Sequence, residues 1–258
     1  MILKILKDDK MNYLVGDIGN TSTKLSILNE NFEIKKIYSF ETKKLFKNTF
    51  INDFLSRKIN NRTNKIVLFS SVVPKAFKII KKKMTKKRFK VYELKDLDVK
   101  KILKIKIKNY NQLGSDRISN ALGAFAHKNC LIIDFGTATT FDIIKNRIYD
   151  GGVISPGVNL SILNLNKSTA LLPLFNLKSK QKNYGKNTME ALNAGFIWGY
   201  EGLINNIIKR IFLKSKVKFK IILTGGYANL FKKHIKYKTV VDENITINGI
   251  AKAFKELI

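Results

Sequence analysis

Two short stretches of this chain are close copies of each other. DIGNTSTK spans Asp17–Lys24 and DFGTATTF spans Asp134–Phe141. Each follows an apolar run, places Gly two residues after Asp, and leads through Thr-rich sequence into a second apolar run. Apolar run, polar turn, apolar run is the pattern of a β-hairpin. With Leu14–Leu28 set against Leu131–Lys145 at a constant offset, Leu14/Leu131, Asp17/Asp134, Gly19/Gly136, Thr23/Thr140 and Ile27/Ile144 coincide. A hairpin repeated in this way predicts a duplicated α/β domain with a polar turn at each hairpin tip. Two such tips facing each other would form a cleft.

The remaining pattern fits that frame. Tyr13–Ile18 and Lys24–Leu28 read as strands joined by the Gly19–Thr23 turn. Leu45, Phe46, Thr49, Phe50, Phe54, Leu55 and Ile59 recur at helical spacing and predict one helix over Glu41–Ile59. Lys65–Val73 is a continuous apolar strand stopped by Pro74, followed by a short helix carrying Phe77, Ile80 and Met84, and by a strand over Val91–Leu94. Ser115–Asp116 opens a helix through His127. Gly151, Gly152, Pro156 and Gly157 predict a loop. Thr188–Leu213 reads as a long helix, Lys218–Leu223 as a buried strand ending in Thr224–Gly225–Gly226, and Ile250–Ile258 as a last helix.

Composition excludes several classes. Hydrophobic residues make up 45% of 258, enough for a globular core and too many for a disordered chain. No apolar run reaches the 18 or so residues of a membrane span. The single cysteine, Cys130, rules out a disulfide within the chain and fits a reducing, cytoplasmic compartment. MILKILKDDK lacks the apolar core of a signal peptide and reads either as an extension ahead of Met11 or as the product of an upstream start codon. The net charge of +30 would suit a polyanion. Its basic residues are nevertheless spread along the chain, with one dense run at Lys81–Lys90, and read mainly as solvated surface.

A glycine in such a turn permits positive φ and lets a ligand approach the backbone. Backbone N–H groups and Thr hydroxyls beside it donate to phosphate oxygens. A neighbouring Asp suits Mg²⁺, directly or through water, and Lys24 suits phosphate charge. Any one of these turns alone equally suits an ordinary bend. Two in matching positions, with the later Thr224–Gly225–Gly226, form the pattern of a nucleotide held between related domains. His127 and His234 stand isolated, Cys130 reads as a small core residue, and no Cys/His cluster suggests zinc. Ala191, Gly195 and Gly199, spaced four apart, predict close packing of the long helix on a neighbour. Asp142 is left between a place beside the site and the solvent, and Asp242 between the site and a strand end.

DIGNTSTK at Asp17, GSDR at Gly114, DFGTATTFD at Asp134, GGVISPG at Gly151, NTMEALNAGFIWG at Asn187, LTGG at Leu223 and DENITINGI at Asp242 occur in that order. Together they resemble the type III pantothenate kinases of the sugar kinase, actin and heat-shock ATPase superfamily, from about residue 12 to the end. The first and third stretches alone would give only the superfamily. GSDR and the Asn187 stretch select the kinase. The resemblance implies an α/β fold of two related actin-like (ribonuclease H-like) domains with a nucleotide cleft between them. The expected division is an extension over 1–11, one domain over 12–117 and a second over 118–258.

The resemblance also implies ATP-dependent phosphorylation of the primary hydroxyl of pantothenate, the first step towards coenzyme A. Asp17, Ile18, Gly19, Asn20, Thr21, Ser22, Thr23 and Lys24 would form the first phosphate loop, with Thr137 on ATP from the second. Asp17 would serve Mg²⁺, and Asp134 a potassium or ammonium ion. Gly114, Ser115, Asp116 and Arg117 would line the pantothenate pocket, Asp116 would be the catalytic base, and Thr188 would contact substrate. Family members are homodimers with pantothenate near the subunit interface. A carboxylate in the first turn of a helix suits the base role, since the helix dipole favours its ionised form. From the residues alone, Ser115–Asp116 and Asn187–Thr188 equally suit helix caps. One departure stands out: the Tyr-x-Asn-Pro of many members is here Ile107–Lys108–Asn109–Tyr110, with the aromatic moved and the proline gone. The rival expectations are a related small-alcohol or sugar kinase, and a nucleic-acid-binding regulator on the same fold. Nucleic acid and membrane are not the expected partners.

Overall fold

The computed structural model describes residues 11–47, 49–59, 62–179 and 183–258. The segment 1–10, read as an extension, lies outside them. The chain forms two compact units: residues up to Phe125 together with Asn244–Ile258, and Ala126–Glu243.

The first unit runs β1 (Asn12–Ile18), β2 (Ser22–Leu28), β3 (Ile34–Glu41), α1 (Phe50–Lys58), β4 (Thr63–Ser71), α2 (Pro74–Lys86), β5 (Lys90–Glu93), the two-residue β6 (Lys104–Ile105) and α3 (Ser115–Gly123). The second runs β7 (Cys130–Phe135), β8 (Ala138–Lys145), β9 (Ile148–Pro156), α4 (Val158–Lys167), α5 (Thr188–Ser215), β10 (Lys220–Gly225), α6 (Ala228–Phe231) and β11 (Thr239–Val241), before α7 (Ile245–Leu257) returns to the first unit.

The two units share one strand plan. In the first, β2 is antiparallel to both β1 and β3, β4 is parallel to β1, and β5 is parallel to β4. In the second, β8 is antiparallel to both β7 and β9, β10 is parallel to β7, and β11 is parallel to β10. The central strands are apolar runs buried on both faces, as parallel strands covered by helices require. Leu14, Ile18, Val67, Phe69, Ile80 and Met84 fill the first core. Leu131, Ile133, Phe141, Ile204, Ile208, Leu223 and Phe231 fill the second.

The duplication is therefore real, but its register differs from the constant-offset alignment. Ile18 pairs with Thr23 across Gly19, Asn20, Thr21 and Ser22. Phe135 pairs with Thr139 across only Gly136, Thr137 and Ala138. The second turn is one residue shorter, so the alignment holds on β1/β7 and slips by one on β2/β8. Thr23 corresponds to Thr139, Leu25 to Phe141, Ser26 to Asp142 and Leu28 to Ile144, and all eight side chains are buried. The sequence coincidences Thr23/Thr140 and Ile27/Ile144 are not structural equivalents.

Other expectations need correction. The single helix over Glu41–Ile59 is divided among the end of β3, a 3₁₀ turn at Thr42–Phe46, and α1. The run Gly151–Pro156 belongs to β9 and is no loop. Gly151 keeps its glycine character there at φ +128°. The boundary expected between 117 and 118 cuts through α3 and leaves α7 in the second domain, whereas all of α3 and α7 belong to the first unit. The cause is their crossing. A methyl on Gly249 would collide with the Ser119 carbonyl, and one on Gly123 with the Ile245 carbonyl. The backbones thus approach as only glycine permits. Thr246 Oγ1 donates a buried hydrogen bond to Asn120 Oδ1 at 2.7 Å across the same contact.

Candidate active site

In the first unit the β1–β2 turn is built and braced locally. The Gly19 N–H donates to the Ser22 carbonyl at 3.0 Å. Gly19 does not adopt positive φ, contrary to the expected reason for it. It eases a tight turn instead, because a Cβ there would lie 3.0 Å from the Ser22 carbonyl oxygen. Thr42, which the sequence reading missed, supports the turn from behind. Its hydroxyl donates to the Gly19 carbonyl at 2.6 Å, and its N–H donates to the Thr21 carbonyl at 2.9 Å. That hydroxyl has one proton, so the 2.9 Å bond between Thr23 Oγ1 and Thr42 Oγ1 is donated by Thr23. Thr23 and Ile18 are buried; Asn20, Thr21 and Ser22 are exposed at the tip. Asp17 and Lys24 face each other on the strands, both partly exposed.

The Gly114–Arg117 strip forms the start of α3, with Gly114 as its N-cap. Asp116 Oδ1 accepts the Arg117 N–H at 2.8 Å. A side chain on Gly114 would collide with that same oxygen, so the glycine makes room for the carboxylate. Burial pushes the Asp116 carboxyl above the usual aspartate range, and the Arg117 N–H and guanidinium offset only part of the shift. Sequence reasoning counted the helix dipole and missed this opposing cost. The outcome suits a proton acceptor better, since a base works best when its pKa lies nearer the working pH. Ser115 is 1% exposed, and its hydroxyl donates to the Ser71 carbonyl at 2.7 Å, so that hydroxyl is engaged within the fold. Ser71 in turn pairs with Ile18, which ties the strip to the phosphate turn.

Tyr110, in the short turn before this strip, is half-buried. The ammonium groups of Lys95 and Lys100 lie 5.7 and 5.2 Å from its ring centre. Burial, with Glu93 and Asp98 adding to it, pushes its phenol above the usual tyrosine range.

The second unit carries the matching turn. The Gly136 N–H donates to the Ala138 carbonyl at 3.1 Å. Thr137 borders the start of α4, where a side chain on the N-cap Gly157 would collide with the Thr137 carbonyl. Gly225 has φ +85°, and a Cβ there would lie 2.6 Å from both Asp134 Oδ1 and the Phe135 carbonyl. The Gly226 N–H donates to that carbonyl at 3.1 Å. The Thr224–Gly226 turn thus wraps Asp134, which explains why glycines follow β10. Thr188 is the exposed first residue of α5. Asn187 Oδ1 caps that helix by accepting the Glu190 N–H at 2.9 Å.

Asp142 neither borders the turn nor faces solvent: it is buried and accepts the Tyr149 phenol at 2.7 Å. Asp242 follows the end of β11, where its N–H donates to the Leu223 carbonyl at 2.9 Å. Burial pushes the Cys130 thiol up to about 12, which makes it a core residue and no nucleophile. His234 bonds Glu201 Oε2 and the Ser179 carbonyl, each at 3.2 Å. The expected close packing of Gly195 and Gly199 is absent. A Cβ at either, or at Gly202, meets nothing within 4 Å, because this face of α5 points outward. Among the described residues no three His, Cys, Asp or Glu gather as a metal cluster, and no helix is long and apolar enough to cross a membrane.

The family model described as type III pantothenate kinase matches residues 13–210. A type III pantothenate kinase of Pelagibacter ubique is 45% identical over 245 residues, covering 93% of this chain and 97% of that relative. One from a Sulfurihydrogenibium species is 35% identical over 251 residues, covering 92% and 97%. In fold, the chain resembles the activator of 2-hydroxyisocaproyl-CoA dehydratase from Clostridium difficile, solved with bound ADPNP. The TM-score is 0.59 at 14% identity, over 95% of each chain.

Proposed function

The chain belongs to the type III pantothenate kinase family, and from that premise we propose a role for each part of the two turns. The enzyme transfers the γ-phosphate of ATP to pantothenate in the pathway to coenzyme A, with a divalent metal accompanying the nucleotide. The observation that carries the chemical reading is Asp116: a carboxylate at a helix start, raised by burial and flanked by an arginine. Asp116 accepts the proton of the primary hydroxyl as that oxygen attacks phosphorus. Arg117 orients the substrate's carboxylate or carbonyl. Exposed Asn20, Thr21 and Ser22, with Lys24, bind phosphate oxygens, while Thr23 and Ile18 shape the turn. Thr137 serves ATP from the second turn, and Thr188 contacts pantothenate.

A half-buried carboxylate at a turn that carries hydroxyl side chains fits Mg²⁺, which binds few protein groups and keeps several waters, so Asp17 would hold it. Bound there, the metal neutralises phosphate charge. Purified protein should form ADP from ATP only when pantothenate is present; equal ADP without it would overturn the reading.

The monovalent-cation role of Asp134 rests on its place beside the Phe135 carbonyl under the Gly225 turn, an oxygen-lined spot suited to potassium or ammonium. Asp134→Asn should abolish potassium activation while leaving the fold intact. Potassium dependence equal to the parent's would move the cation elsewhere.

The homodimer reading rests on apolar side chains left exposed in the second unit. Leu160, Leu163, Leu171, Leu174, Met189 and Trp198 are each exposed, and Trp198 lies on the outward side of α5 that also carries the open glycines. Exposed apolar side chains of this size suit association. Sedimentation should give a dimer for the parent and a monomer for Trp198→Glu. A parent that is fully active as a monomer would contradict it. A cytoplasmic location fits the one buried, free cysteine. A nucleic-acid role has only the +30 charge behind it.

A further inference from the structure

Three parts of the first unit meet at one residue, Ser71, the last of β4. Ser71 pairs with Ile18, and the next N–H, that of Val72, donates to the Ile18 carbonyl at 3.1 Å. This fixes the end of β4 to the phosphate turn. The Ser71 N–H is shared between Ser115 Oγ at 2.9 Å and Glu93 Oε1 at 3.2 Å. The Ser115 hydroxyl donates back to the Ser71 carbonyl at 2.7 Å. Glu93 Oε2 accepts the Lys95 N–H at 2.7 Å. Ser115 adjoins Asp116, so this network sets where the start of α3 sits relative to the β1–β2 turn.

We propose that Glu93 is a positioning residue for phosphoryl transfer: by holding Ser71, which is bonded in both directions to Ser115, it fixes Asp116 against the phosphate turn. The inference rests on Asp116 being the base. Burial pushes the Glu93 carboxyl above the usual range despite its bonds to the Lys95 and Ser71 N–H groups, and Asp96 adds to that push. A carboxylate kept at such a cost has a use beyond solubility. The route from Glu93 to Asp116 is geometric, through Ser71 and Ser115, the residue before Asp116. The competing role is a simple cap: Glu93 accepts the Lys95 N–H, and its own N–H donates to Asp96 Oδ2 at 3.3 Å.

Glu93→Gln separates the two roles. Glutamine keeps one oxygen acceptor, which satisfies the Lys95 N–H and preserves the cap, but then turns an N–H donor towards the Ser71 N–H. Turnover should fall by about tenfold to a hundredfold, as for a displaced catalytic group, with KM for ATP little changed. Ser115→Ala should do the same, and the double variant should be no worse than the poorer single one, since both break one network. Parental kcat in both single variants would overturn the proposal. So would losses that multiply in the double variant, or a change in ATP KM without a change in kcat. If Glu93→Gln does not fold, Ser115→Ala decides alone, since it removes one oxygen and its melting temperature reports the fold. Asp116→Asn is measured alongside: parental turnover there would sink the base assignment itself.

Discussion

Asp116→Asn should bind ATP as the parent does and lose about 10²–10⁴-fold in turnover, the usual contribution of a positioned general base. The amide preserves size and one acceptor oxygen, so the Arg117 N–H keeps a partner and α3 keeps its start. What is lost is the ability to take a proton. The parent's pH profile should carry the same signature. Activity needs the ionised carboxylate, and burial raises its pKa. The acid limb of kcat/KM should therefore lie at higher pH than an ordinary aspartate gives, and the residual activity of Asp116→Asn should lack that limb. Loss of activity in this window is not unfolding. A carboxyl whose folded pKa is raised binds its proton more readily folded than unfolded, so for this group acidification favours the fold. Thermal melting across the same pH range separates the two effects. Near-normal turnover in Asp116→Asn would remove the residue from the base role.

Gly249→Ala should be the most damaging small change to the fold. The added methyl meets the Ser119 carbonyl, which is backbone and cannot rotate away. Crowding of this kind costs about 1–3 kcal/mol or more. For a chain of this size that lowers the melting temperature by roughly 2–12 °C. Activity should fall further than stability alone predicts, because the helix pushed aside carries Asp116 at its start. An unchanged melting temperature would mean that α3 and α7 do not cross as described.

Much of this was legible in the sequence because each half announces itself with the same hairpin. Asp17 and Asp134 mark equivalent positions on β1 and β7, and their flanking apolar runs are the buried central strands. The slip on β2/β8 was not legible, since it depends on one residue of turn length that identities at a constant offset conceal. β3 escaped notice because its alternation is diluted by Lys35 and Lys36, and β9 because its glycines resemble loop punctuation.

At the site, the turns and GSDR could be read from residue types. Their support could not. Thr42 and Glu93 are ordinary residues at elements that spacing does not connect to the site, and only the pairing of β4 with β1 and β5 brings Glu93 to Ser115. Gly123 and Gly249 are isolated glycines in helical sequence, where their usual meaning is a small loss of helix stability. A signal did exist, since a glycine on each of two helices that also carry apolar faces permits a close crossing. The raised carboxyl of Asp116 had no sequence signal, because burial is a property of the folded unit.

The most direct measurement is the position of the new phosphate on the product formed from ATP and pantothenate, read by phosphorus–proton coupling in NMR. Pantothenate offers a primary hydroxyl, a secondary hydroxyl and a carboxylate. Coupling to the methylene of the primary alcohol is the expected result. Phosphate on the secondary hydroxyl or on the carboxylate, or no phosphorylated pantothenate at all, would contradict the account.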